Sequence, residues 1–451
     1  MKQLFISKLT ASLAFLALFT VITVSGTGLA RAADEQRTVF TNVNVVTMQG
    51  DKVLENRMVV ISGDVIEAMA PQGYLSVPEG AQVIDGAGRY LMPGLAEMHG
   101  HVPPLTPFEG VPERYVDDVL FLYLAGGVTT VRGMLGYPHQ LQLREEVRKG
   151  ERLGPDLYLA GPSFNGNTVQ SKRDARKRVQ EHVEQGWDLL KVHPGLGLDE
   201  YQAMAEEAKK HGIDFAGHVP EEVGIRHAII LGSRTIDHLD GYIAEVDGFD
   251  KPLEKEDFLE LARLTRQHNT AVVPTQALWE TIIGAANPDE LRAFPEIQYV
   301  PQQVRQGWEN YLEQSGGRYY TGDTAAIHAE NRRILLNVLY EEGVTILMGT
   351  DAPQLFSVPG LSLRRELPAM AAAGMTNLDI LRSGTVEVGR YFNEELGYVL
   401  PGYKANLILV ESNPFQQLDT VYDPEGVLIL GRWLTREFID EKLAEIAEAY
   451  K

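Results

Sequence analysis

The chain has 451 residues, ordinary hydrophobic (44%) and charged (23%) fractions, and a formal net charge of −21. That length suffices for one large barrel plus a smaller domain. The acidity, with no long basic run, argues against nucleic acid or an anionic membrane as partner. The absence of cysteine excludes disulfides, thiolate metal ligands, a cysteine nucleophile and a lipoprotein anchor.

Residues 1–32 read as a removable signal peptide. Lys2 and Lys8 precede an apolar run from Leu13 to Val24, and Ala30-Arg31-Ala32 has the small-x-small form of a cleavage site. The run is short for a membrane span, so the expectation is export, most simply to a bacterial periplasm, with no membrane partner afterwards. Residues 33–92 then alternate in the manner of β-strands. Met58–Ile61 and Val65–Ala68 flank a hairpin turn at Gly63-Asp64, and the segment reads as half of a small β-domain.

From Pro93 the pattern changes to alternating strand and helix signals. Strand candidates start at Leu95, Val128, Leu157, Leu189, Asp214, Thr235, Ala271 and Thr345. Apolar faces such as Val116, Val119, Leu120, Tyr123 and Leu124, at i, i+3, i+4, i+7 and i+8, separate them. Asp199 is placed as a helix N-cap and Gly212 as the stop of the same helix. Eight such units predict a (β/α)8 TIM barrel over residues 93–396. A doubly wound open sheet is the structural alternative, weakened because no glycine-rich dinucleotide turn follows the first strand. Residues 275–343 form a long, mostly polar insertion that either covers the barrel mouth or makes an oligomer contact. Residues 397–435 return to β and complete a β-sandwich domain built from both ends of the chain. Residues 436–451 make a closing amphipathic helix with no role beyond packing.

The C-terminal strand ends of such a barrel converge on one face. On this assignment they carry His99 and His101, Lys191, His218, His238 and Asp351. Each alone has a plain reading: His218 as a loop histidine, Lys191 as a snorkelling side chain, Asp351 as a helix N-cap. Residues two apart on a strand share a face, so both imidazoles would project together. His-Gly-His by itself is a weak signal, since with 11 histidines in 451 residues a chance His-x-His turns up in about one such chain in four. All of them at matching strand ends make a metal site the better reading, because neutral imidazoles and carboxylates suit a borderline divalent ion such as zinc.

These motifs resemble those of the metal-dependent amidohydrolase superfamily, and within it the imidazolonepropionase-like and prolidase-like hydrolases. The carriers are Pro93-Gly94-Leu95 leading to His99-Gly100-His101, Gly127–Arg132, Leu190-Lys191-Val192, Ala216-Gly217-His218, Ile236-Asp237-His238, Gly349–Pro353 and the tail Gly402–Val410. The chain departs from the pattern at Ala96-Glu97, where Ile-Asp is usual, at Gly133 in place of Asp, and at Asn406 in place of an acid. Glu97 shares the parity of His99 and His101 and is expected to support the ligands from behind. The resemblance implies two divalent, zinc-like metals. His99, His101 and Asp351 would hold one, His218 and His238 the other, with Lys191 carbamylated as the bridge. A mononuclear site with His238 orienting the substrate is the alternative. Asp351 would be the catalytic acid and base. The reaction implied is hydrolysis of a C–N bond in a small-molecule amide, a dipeptide or an N-acyl amino acid. For such a substrate Arg132 is a candidate carboxylate clamp or, equally, a structural pair within the barrel. His193 is a candidate pocket residue or part of a plain turn before Pro194, and Tyr242 a candidate partner of a substrate carbonyl or, first of all, a packed loop tyrosine. A cyclic-amidine deaminase or a lactonase or esterase would use the same ligands. A non-catalytic periplasmic binding protein is opposed by the complete ligand set.

Overall fold

The computed structural model describes residues 37–105, 111–283, 288–315 and 322–451. Residues 1–32, the segment expected to be a signal peptide, and parts of the 275–343 insertion, residues 284–287 and 316–321, lie outside the described residues.

The chain opens with β1 (Arg37–Val46), β2 (Val53–Ser62), β3 (Val65–Pro71), β4 (Gln82–Asp85) and β5 (Tyr90–Pro93). The β2–β3 hairpin turns at Gly63-Asp64, with Ser62 paired to Val65 and Gly63 at a φ of 59°, the left-handed conformation that two-residue hairpins demand.

The barrel strands follow: β6 (Leu95–Gly100), β7 (Val128–Gly133), β8 (Asp156–Leu159), β9 (Leu189–Val192), β10 (Asp214–Gly217), β11 (Thr235–Asp237) and β12 (Ala271–Val273). Their residues are almost continuously buried, as expected of parallel strands covered on both faces. The helices between and after them are α1 (Tyr115–Ala125), α2 (His139–Arg148), α3 (Lys172–Gln185), α4 (Leu198–His211), α5 (Gly224–Ile230), α6 (Tyr242–Glu245) and α7 (Lys255–Gln267). Gly212 does end α4, in the left-handed conformation, but Asp199 is not its N-cap: Gly197 holds that place, and Asp199 pairs with Lys172 at 3.1 Å.

The eighth barrel segment is irregular. Backbone bonds seat it between its neighbours: Val272 N–H to Thr345 O and Leu347 N–H to Val272 O, both 2.9 Å, on one side. On the other side Met98 N–H donates to Met348 O (2.8 Å) and Asp351 N–H to His99 O (2.9 Å), which closes the ring against β6. A parallel bridge between Ala160 and Leu189 joins β8 to β9. Gly349 makes the closure possible, because a Cβ there would lie 2.6 Å from Val273 Cγ1 and 2.9 Å from His99 N.

The expected insertion resolves into α8 (Gln276–Ile283), α9 (Pro288–Arg292), α10 (Gln302–Ser315) and α11 (Asp323–Glu341). α11 buries Leu335, Leu336, Val338 and Leu339 and is the regular helix before the eighth segment, so the extra chain is shorter than 275–343. Then come α12 (Leu363–Ala372), α13 (Asn377–Ser383) and α14 (Val386–Phe392), the last two split at Gly384-Thr385. The chain ends with β13 (Leu407–Val410), β14 (Gly426–Ile429), β15 (Arg432–Thr435) and α15 (Arg436–Ala449). Strands from the two ends hydrogen-bond as one sheet in the order β15-β14-β13-β5-β1-β2-β3, with β4 on β1. Adjacent strands lie about 4.8 Å apart, yet the rings of Phe40 on β1 and Trp433 on β15 meet at 5.2 Å. The sheet therefore curls over its own core, which includes Val59, Ile61, Leu91, Leu407 and Leu428. Among the described residues no helix is long and apolar enough to cross a membrane.

Candidate metal centre

The strand ends bring their side chains together. His99 Nε2 lies 3.6 Å and His101 Nε2 2.6 Å from Asp351 Oδ1. One donor atom from each of the three falls within 4.8 Å of the others, a spacing able to hold a metal ion. Lys191 Nζ is 3.1 Å from His99 Nε2. The ring of His238 lies 4.4 Å from that of His99 and 4.6 Å from that of His218. All six predicted ligands line one cavity of about 640 Å³.

Three of the four imidazoles are oriented from behind, through Nδ1. Asp237 Oδ2 holds His99 at 2.7 Å, Asp240 Oδ2 holds His218 at 2.7 Å, and Thr275 Oγ1 holds His238 at 2.9 Å. A carboxylate on Nδ1 fixes the tautomer that turns an Nε2 lone pair toward the centre, the usual support of a metal-ligating histidine. Burial lowers the basicity of His99 and His238 well below the ordinary histidine range, which keeps them neutral, the form that ligates. His238 Nε2 is buried and has no hydrogen-bond partner. An orphaned buried nitrogen costs about 1–3 kcal/mol, and a divalent cation is the partner that this donor set fits. Burial also brings the Lys191 amine down to about 8, so a neutral amine is accessible close to neutral pH.

Three residues of the site sit in the left-handed region that non-glycine residues avoid: His238 (φ 63°), Thr275 (φ 45°) and Asp351 (φ 61°). Arg332 of α11 pins two of the segments. Its guanidinium donates to His238 O (2.8 Å), Pro274 O (3.0 Å) and Gln276 Oε1 (2.7 Å), and lies 4.2 Å over the Trp279 ring. Glu97 acts on the backbone rather than on a ring. Its carboxylate accepts from Thr350 N (2.7 Å), Thr350 Oγ1 (2.5 Å) and His99 N (3.1 Å), so it ties the eighth segment to β6. Burial pushes its carboxyl up to about 8.

Two expected substrate contacts are corrected. Arg132 is fully buried beneath the ligands, and its five N–H groups are engaged by Met98 O, Thr235 Oγ1, Tyr391 OH and both oxygens of Asp237. It fixes Asp237, and through it His99, instead of clamping a carboxylate. Tyr242 is also fully buried, its hydroxyl bonded to Thr265 Oγ1 at 2.7 Å, away from the cavity. His193 does line the cavity, 5.1 Å from the His218 ring, with Ser163 Oγ at 2.8 Å from its Nδ1. The supporting residues Asp237, Asp240, Thr275 and Arg332 were not singled out from sequence. Asp237 and Asp240 stand beside His238 and could have been found there; Arg332 lies inside a polar helix and carries no local signal.

The chain belongs to the amidohydrolase family, whose profile matches residues 90–434. It is similar to the ochratoxinase of Aspergillus niger, with 22% identity across 88% of this chain and 86% of that enzyme. Solved structures with the same fold include a bottromycin amidohydrolase (TM-score 0.72, 23% identity, 93% of this chain and 92% of that one). Another is a Xaa-Pro dipeptidase with methionine bound in its active site (TM-score 0.67, 20% identity, 89% of this chain and 100% of that one). Its relatives share the TIM barrel with a small β-domain.

Proposed function

We propose that the protein is a metal-dependent hydrolase of amide or peptide C–N bonds, acting on a dipeptide or N-acyl amino acid type of substrate. The observation that carries this reading is the convergence of His99, His101, His218, His238, Lys191 and Asp351 at one cavity, with the Nε2 of His238 buried and unpartnered. Two zinc-like ions would be held by these donors, His99, His101 and Asp351 for one and His218 and His238 for the other, with Lys191, once carbamylated, as a shared oxygen donor. The neutral amine that burial favours at Lys191 is the form that reacts with CO2. Bound divalent ions supply Lewis-acid activation of water and of the scissile carbonyl. The protein's own residues do the rest. The Asp351 carboxylate accepts the proton of the attacking water and returns it to the leaving nitrogen. Asp237 and Asp240 keep the imidazoles of His99 and His218 in one tautomer, and Thr275 orients that of His238. His193, held neutral by burial with its basicity down to about 2, presents its ring to the same cavity and is suited to hydrogen-bond the substrate.

The test joins metal analysis, peptide mass and turnover. Two equivalents of divalent metal, a Lys191 peptide heavier by one CO2, and hydrolysis of a dipeptide or acyl-amide panel are expected. Asp351→Asn should lower kcat by about 10²–10⁴-fold. A metal-loaded protein that cleaves no amide, or an Asp351→Asn variant as active as the parent, would dismiss the reading. A single metal with an active Lys191→Ala would dismiss the bridge alone.

A further inference from the structure

Part of the apolar wall of the cavity is built by helices of the 275–343 segment. α8 contributes Leu278 and Ile282, and α10 contributes Val304, Trp308 and Tyr311, which at i, i+4 and i+7 form one face of that helix. Leu355 completes the wall. A second cavity of about 800 Å³ adjoins the first and shares Val304, Trp308, Tyr311 and Leu355 with it. Its remaining described lining is neutral, largely the glutamines of α10. Among the described residues that line either cavity, Lys191 is the one lysine and there is no arginine, and Lys191 lies among the ligands. The charges of the first cavity stand at the ligand end, where Asp240 and Asp351 are. Away from the reacting centre, recognition therefore rests on apolar area. The first cavity alone is of the size that holds a drug-sized ligand, about 300–1,000 Å³.

We propose that the substrate carries, on one side of the scissile C–N bond, a large uncharged aromatic or branched apolar group that leaves the centre along α10 and seats on Trp308, Tyr311 and Leu355. This rests on the amide-hydrolase reading and narrows its substrate class. A small substituent would leave the open edge of that wall, with the exposed Tyr311, in water. An aromatic one covers it, and burying an aromatic ring is worth on the order of tenfold or more in affinity. Trp308 is the specificity-determining residue, its ring 5.5 Å from that of Phe356 and so held in place.

The experiment compares two amides with the same leaving group, N-(2-naphthoyl)-alanine amide and N-acetyl-alanine amide, on the metal-loaded protein. Binding is followed by calorimetry, and kcat/KM is measured where cleavage occurs. The naphthoyl compound is expected to be preferred by about tenfold or more. The ratio should fall toward one in Trp308→Ala and be largely kept in Trp308→Phe. Because the ratio is taken within each variant, a partly unfolded sample does not move it. Equal binding of the two amides to the parent, or a preference untouched by Trp308→Ala, would overturn the inference. A Trp308-dependent preference in binding without cleavage of either amide would support the inference and sink the hydrolase reading instead.

Discussion

At the scale of single residues, the ligands are placed by partners that stay out of the reaction. Arg132 and Asp237 are both fully buried, and Arg132 Nη2 donates to Asp237 at 3.2 Å. Asp237 in turn orients His99, so a cation that sequence reading assigned to the substrate is a support two steps behind a ligand. Glu366 of α12 shows the same economy. It is fully buried, and its Oε2 accepts from Ala277 N at 2.7 Å, satisfying one of the free N–H groups at the start of α8. Burial outweighs that bond and raises its carboxyl to about 8. Below the ordinary value of 4.5, folded and unfolded chains both hold the proton and there is no penalty. Between 4.5 and 8 the unfolded chain releases it while the folded chain keeps it, so stability falls as pH rises through that window. Glu366→Gln removes the titration. It is expected to be more stable than the parent at pH 8, on the order of a few kcal/mol, with the gap closing near pH 4.5. Thermal melts at both pH values check this; a gap that does not narrow on acidification would contradict it.

At the scale of elements, the weak point of the barrel is its eighth segment, which has no regular strand pairing and ends in Asp351, the proposed acid and base. Glu97 offsets this by bonding Thr350 twice and the His99 backbone once. Glu97→Ala would leave buried N–H groups of Thr350 and His99 unpaired. A loss of about 2–4 kcal/mol in stability is expected, together with weaker metal retention, because Asp351 follows Thr350 directly. Chemical denaturation and chelator competition measure the two effects; an alanine variant with unchanged metal retention would show that Thr350 does not need this anchor. Seven of the eight strand starts were legible to within a residue, because parallel strands are short continuous apolar runs between helical periods; the eighth, expected from Thr345, is the irregular segment. α12 was not legible, since Pro368 within it reads as a breaker. Nor was the division of residues 275–343 into a wall for the cavity and the ordinary barrel helix α11. Both parts are polar amphipathic helices, and only packing distinguishes them.

At the scale of the whole molecule, α15 does more than cover a surface. The Thr435 hydroxyl caps it by accepting from Phe438 N at 3.2 Å, and Ile439 and Ile446 are buried beneath it. Past its end, Tyr450 OH donates to Asp118 Oδ2 of α1 at 2.5 Å, and Tyr450 O accepts from Arg305 of α10 at 2.9 Å. One terminal helix thus links the curled sheet, a barrel helix and the wall of the cavity. Deleting residues 436–451 should lower stability by roughly 3–6 kcal/mol, from two buried isoleucines and the Tyr450 bonds. The metal content should be unchanged, because no ligand lies on this helix. A truncated protein that melts with the parent would refute the linking role.

By itself, the sequence determined the barrel, the composite β-domain and the residues that converge on the metal site. Those follow from period, chain order and strand-end position, which are local or topological properties. Tertiary structure alone decided what stands behind and opposite the ligands. Arg132, Arg332, Glu97 and Tyr242 are polar residues whose roles depend on which buried acceptor lies within about 3 Å. Whether α8 and α10 face the barrel mouth depends on packing between segments far apart in the chain. Neither distance nor facing has a signature in local pattern, so the residues that converge on the cavity could be read from the chain, whereas their supports and the cavity wall required the fold.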